Sequence, residues 1–195
     1  GIIYARNFIK RYCEEKKLLN YWQIDDDISY TYIRQGTKLL QIDMFEAIVN
    51  AQNIFLQNDI SLGSLEYRQY AWSATKKIIL NSFCDSFVFM DLKKTTGIYY
   101  RENTKEDRDF AMQIIKNNLK TARTTEYAFS APANGSNEGG LKEIFYDIEG
   151  AELSTVKNMV NLWGEDICRH ILKKDGRNDL KIYWNNINGK QQSLF

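Results

Sequence analysis

Three consecutive carboxylates, Asp25-Asp26-Asp27, follow directly on the aromatic and apolar run Tyr21-Trp22-Gln23-Ile24. That run has the composition of a strand. Successive side chains of a strand point to opposite faces, so Asp25 and Asp27 fall on one side and Asp26 on the other. Adjacent anions repel. A pair about 4 Å apart costs on the order of 1 kcal/mol in bulk water and roughly 4 kcal/mol at the effective dielectric near a protein surface. A divalent cation with oxygen ligands removes that cost, and Mg²⁺ typically uses one or two carboxylates plus substrate phosphates. A solvated acidic turn or a helix N-cap explains the same residues without an ion.

A second acidic pair, Glu106-Asp107, opens a helical pattern. Thr104-Lys105-Glu106-Asp107 fits a capping box, with Thr104 as N-cap and an acid three residues on. The macrodipole also favours carboxylates in a first turn. Asp107 nevertheless lies one turn before Phe110 and Ala111, which align with Ile114, so it leans toward the buried side. The segment 132–140, rich in Gly, Asn and Ser, is either an ordinary loop or an anion cradle of backbone N–H groups. His170, the only histidine, sits in a short apolar and basic segment and reads as a partly exposed structural residue. Trp72, Trp163 and Trp184 either stack on a base or sugar or pack at the core and its rim. Lys173, Lys174, Arg177 and Lys181 form the densest basic cluster, suited to phosphates or to a solvated face.

The chain of 195 residues has the length of a single domain, residues 1–195. A net charge of +1 gives no global electrostatic case for nucleic acid or membrane, so any such surface must be local. Cys13, Cys84 and Cys168 are odd in number and widely spaced, which reads as reduced thiols in a cytoplasmic protein, not a disulfide frame or zinc site. No apolar run reaches the length of a membrane span, and no signal-peptide pattern is present.

The elements that must carry these residues alternate. Helices are expected over 5–17, 42–55, 105–118 and 155–162. In the first, Phe8, Ile9 and Tyr12 share one face and Arg6, Lys10 and Glu14 lie near another. Strands are expected from Tyr21 into the acidic triplet and over 30–34, 78–80, 87–90, 121–129, 167–172 and 180–184. Residues 60–69 read as loop. This order argues an α/β fold with a mixed sheet.

Ala5-Arg6-Asn7 at a helix start, followed by a strand ending in Asp25-Asp26-Asp27, resembles the middle of a GT-A glycosyltransferase. Lys105-Glu106-Asp107-Arg108-Asp109-Phe110 narrows the likeness to the TET/JBP-associated glycosyltransferases. Ala128-Phe129-Ser130-Ala131-Pro132, then Gly135-Ser136-Asn137-Glu138-Gly139-Gly140, resembles their next segment, and Asp179-Leu180-Lys181-Ile182-Tyr183-Trp184 their last strand. The similarities run in order from Ala5 to Trp184.

The resemblance implies a GT-A-like mixed sheet flanked by helices and a nucleotide-sugar donor. It also implies a hydroxymethylated pyrimidine in DNA as acceptor, and Mn²⁺ or Mg²⁺ as cofactor. Arg6, Asn7, Asp25 and Asp26 would bind the donor, and Asp25 and Asp27 the metal. Arg6, at a helix N-terminus, suits an anion. Asp107 becomes the candidate base and Glu106 a candidate acceptor ligand. Such enzymes often supply a C-terminal histidine as a third metal ligand, but His170 lies within a short apolar and basic segment and reads as structural. A GT-A domain normally begins with strands and helices that hold the nucleotide base, upstream of the Ala-Arg-Asn helix. Here that helix starts almost at Gly1. The usual N-terminal nucleotide-binding strands are therefore expected from an upstream segment, from another chain, or replaced in a reduced fold. Two other readings compete: a non-catalytic DNA-binding or adaptor domain, and an enzyme with a protein or glycan acceptor.

Overall fold

The structure is a computed structural model, and it describes residues 1–132 and 150–188. It is a mixed α/β fold. Nine strands are described: β1 (Asn20–Ile24), β2 (Tyr30–Gln35), β3 (Lys38–Ile42), β4 (Leu62–Tyr67), β5 (Ile78–Leu80), β6 (Phe87–Asp91), β7 (Thr121–Ser130), β8 (Cys168–Leu172) and β9 (Asn178–Ile182). The helices are α1 (Ile2–Glu15), α2 (Met44–Gln57), the short α3 (Arg68–Ala71), α4 (Glu106–Lys116) and α5 (Ala151–Trp163). Seven strands make one sheet in the order β1-β6-β4-β7-β2-β3, with β5 also paired to β7. The β4–β7 pair is parallel and the other pairs of this sheet are antiparallel. β8 and β9 form a separate antiparallel pair.

The alternation of β6 sets the two sides of the main sheet. Phe87 and Phe89 enter a cluster with Trp22, Phe55, Ile60 and Leu65, under α2. Val88 and Met90 enter the opposite cluster with Cys13 of α1 and Phe110, Ala111 and Ile114 of α4. The other side of α4, Met112 and Ile115, joins Val156, Met159, Cys168 and Leu180 in a third cluster with α5, β8 and β9. α4 is thus packed on two faces.

Two expectations are corrected. Residues 60–69 contain no loop of that length, because β4 runs through them as the most enclosed strand of the sheet. Its Gly63 and Ser64 conceal the strand pattern. The glycine has a packing reason: a Cβ there would stand 2.6 Å from the Phe55 ring. The helix expected from Ile42 begins at Met44, because Asp43 caps it, accepting from the backbone N–H of Phe45 at 2.9 Å and of Glu46 at 3.3 Å. Residues 38–42 instead pair with β2 across a tight turn at Gly36, whose φ of 63° lies in the left-handed region.

In α1 the face bearing Arg6, Lys10 and Cys13 turns inward, while Tyr4, Phe8 and Tyr12 are exposed. Lys10 is fully buried, donates to the Thr95 carbonyl at 3.0 Å and pairs with Glu14. The three cysteines are buried and free. Of the loop expected over 132–140, only Pro132 lies among the described residues.

Candidate active site

The acidic triplet follows β1, which ends at Ile24. The Asp25 amide extends the ladder by one bond, to the Ser86 carbonyl beside β6 at 2.8 Å, and Asp26 and Asp27 then turn away. Asp25 and Asp27 are half-buried and Asp26 is exposed.

Arg6 meets this triplet from the first turns of α1. Its Nη2 lies 3.6 Å from Asp25 Oδ1, and its Nη1 donates to Glu106 Oε1 at 3.1 Å. Its guanidinium stands 5.5 Å from the centroid of the Tyr100 ring. Burial alone would lower the Arg6 pKa, but the neighbouring Tyr100, Glu106, Asp25 and Asp107 outweigh it and raise it. Asn7 spends both ends of its amide on Tyr100, donating to the carbonyl and accepting from the N–H, each at 2.9 Å. It therefore fixes the residue against which Arg6 lies.

Glu106 and Asp107 are the first two residues of α4. The capping box expected around Thr104 is not formed. Lys105 is the N-cap, with no side-chain capping bond, and Thr104 donates its hydroxyl to the Arg101 carbonyl at 2.7 Å. The two carboxylates are thus not consumed by a box, and Glu106 faces Arg6. Asp109, next along the helix, is wholly buried and structural. It receives Arg101 at 2.8 Å, Gln113 at 2.9 Å and the Trp163 indole N–H at 2.8 Å.

Asp85 was not singled out by the sequence. It stands just before β6, and its Oδ2 accepts from the Tyr67 hydroxyl at 3.0 Å. Burial and then the charge of Asp107 push it up to about 7, against the lowering effects of Tyr67 and Arg123. Burial likewise raises Asp25, offset by Arg6 and reinforced by Asp27 and Asp26. It also raises Glu106, reinforced by Asp107 and offset by Arg6. Three acids from three segments, Asp25, Asp85 and Glu106, are therefore raised by burial and by neighbouring carboxylates, and Arg6 bridges Asp25 and Glu106.

The C-terminal elements brace this wall. Arg108 donates to Asp179 at 2.6 Å, and Lys173 also pairs with Asp179 at 2.6 Å. Arg108, Lys173 and the surrounding hydrogen bonds hold the Asp179 carboxyl below the usual carboxylate range despite its burial. Arg177 pairs with Asp175 at 2.7 Å. Two members of the basic cluster are thus neutralised within the chain. His170 is exposed on β8, with Nε2 2.8 Å from Asn178 Oδ1, in keeping with a structural residue. Trp163 serves Asp109, Trp184 stacks near Phe83 with centroids 6.5 Å apart, and Trp72 is exposed with its N–H on the Gln69 carbonyl. Among the described residues, no group of three or more His, Cys, Asp or Glu side chains is arranged to hold a metal by itself. No helix among them is long and apolar enough to cross a membrane.

Asp25 and Glu106 are thus gathered around the inward Arg6 beside the end of β1. Residues 1–140 match the family model of the TET-Associated Glycosyltransferases, and the chain belongs to that family. Comparison with curated proteins and with solved structures gave no match.

Proposed function

We propose that the protein transfers a sugar from a nucleotide-sugar donor to the hydroxymethyl group of a modified pyrimidine in DNA, with Mn²⁺ or Mg²⁺ as cofactor. The observation that supports this most is the junction of Arg6, Asp25 and Glu106, where three of the segments carrying the family resemblance come together. The residues fit a divalent cation. Asp25 and Glu106 are both raised by burial, with neighbouring carboxylates adding to the effect, a cost that a cation relieves. Asp25 and Asp27 would hold it, with remaining ligands from the donor phosphates and water. When bound, it neutralises the diphosphate as leaving group.

The chain's own residues do the rest. Arg6, fixed over Tyr100 by Asn7, presents a guanidinium to the donor's anionic part, and exposed Asp26 borders it. Glu106 orients the acceptor hydroxyl. Asp107 takes the hydroxyl proton as the oxygen attacks the anomeric carbon. The bond from that carbon to the diphosphate oxygen breaks, the electron pair leaves with the diphosphate, and configuration inverts. Incubation with a panel of sugar nucleotides and hydroxymethylated DNA, read by nucleoside mass spectrometry, tests this. A glycosylated nucleoside formed only with metal is the expected result. DNA binding without donor binding or product would favour a non-catalytic adaptor.

A further inference from the structure

Asp85 has an oxygen that the proposed mechanism leaves unused. Its Oδ2 is taken by Tyr67, but its Oδ1 is buried and has no hydrogen-bond partner. The charges acting most strongly on this carboxyl belong to Asp107, Arg123 and Asp25. Asp85 also precedes Ser86, whose carbonyl accepts from the Asp25 amide at 2.8 Å, so it neighbours the acidic triplet. A buried carboxyl oxygen left unpaired is costly, and native structures rarely carry one without a reason. An anionic group would meet Asp25 and Asp107 there, and an apolar group would leave the cost in place. A hydroxyl donates to a carboxylate and accepts from a carboxylic acid, so it satisfies Oδ1 whichever form Asp85 takes.

We propose that Asp85 is a specificity residue whose free Oδ1 hydrogen-bonds a substrate hydroxyl, on the donor sugar or on the acceptor. The assignment rests on the glycosyl-transfer reading and adds to it a contact that tells a hydroxylated ligand from its deoxy counterpart.

Calorimetric titration of the full chain, with metal present, tests it. Nucleoside diphosphate sugars are compared with analogues lacking one hydroxyl at a time and with the bare diphosphates. DNA carrying 5-hydroxymethylpyrimidines is compared with its 5-methyl counterpart. In the parent protein, removing the contacted hydroxyl is expected to weaken binding about tenfold or more. In Asp85→Ala that penalty disappears, while the bare diphosphate binds as before. Asp85→Asn, which keeps an acceptor for Tyr67, is expected to show a reduced penalty and serves if the alanine variant does not fold. A penalty in the sugar series places the contact on the donor, and one in the DNA series places it on the acceptor. Penalties equal in the parent and the variants, or absent from the parent although it binds ligand, overturn the assignment. A parent protein that binds neither ligand class overturns the transfer reading, and this assignment with it.

Discussion

Arg6 Nη1 and Glu106 Oε1 meet at 3.1 Å across a separation of 100 residues, joining the inward face of α1 to the first residue of α4. The same guanidinium reaches Asp25, so one side chain holds together a helix, a strand end and a second helix.

Arg6→Ala removes the common partner of two half-buried carboxylates. Breaking a buried pair by deleting one partner typically costs about 3–5 kcal/mol, and the partial exposure of Asp25 and Glu106 puts the expected loss at the lower end or below it. Urea denaturation measures it. Arg6→Lys should recover part of the stability but little donor affinity, since the planar fork is lost. Unchanged stability in the alanine variant would show that the bridge contributes nothing.

Asp107→Asn separates chemistry from stability. The residue is half-buried at the start of α4 but belongs to no capping box, so the expected change in melting temperature is small. Loss of a general base lowers turnover about 10²- to 10⁴-fold. Near-normal turnover per folded molecule would move the base elsewhere, with Glu106 the next residue to replace.

Asp27→Asn should weaken Mn²⁺-dependent donor binding and leave the fold intact, because Asp27 lies in the turn after β1, outside the ladder. Titrating Mn²⁺ against donor affinity in parent and variant checks this. An unaltered metal dependence would remove Asp27 from the ligand set.

Gly63→Ala drives a methyl into the Phe55 ring. That ring is fully buried and touches the rings of Trp22 and Phe89, with centroids 6.0 Å and 5.5 Å away, so it has little room to retreat. Overpacking of this kind costs about 1–3 kcal/mol. A lower urea midpoint with an unchanged slope is the expected result.

Asp85 also makes stability depend on pH. Its pKa rises from about 3.9 in an unfolded chain to about 7 in the folded one. Between those values the folded state binds the extra proton. The Asp85 contribution is therefore full below about pH 4 and is lost as pH rises through 7. Asp85→Asn cannot ionise, so its stability relative to the parent should increase from pH 5 to pH 8. A difference that stays constant across that range would contradict the shift.

The periodic elements were legible: α1, α2, α4 and α5 and most strands lie within a few residues of where apolar spacing puts them. β4 was not, because Gly63 and Ser64 interrupt the apolar pattern, and the Phe55 ring packed against Gly63 is a contact that only the folded sheet reveals. Arg6, Asp25, Glu106 and Asp107 were readable as motif residues, and the structure brings them together. Asp85 carries no spacing signal between Cys84 and Ser86. Its character comes from burial and from Asp107, which is a tertiary property. The orientation of α1 was equally hidden, since its aromatic residues and its charged residues each form a continuous face.

α4 is packed on both sides, by Phe110, Ala111 and Ile114 against the main sheet and by Met112 and Ile115 against the C-terminal unit. A helix packed from two directions has its position set by both halves of the fold. Its first turn, with Glu106 and Asp107, is therefore held in place by the main sheet and by the C-terminal elements alike.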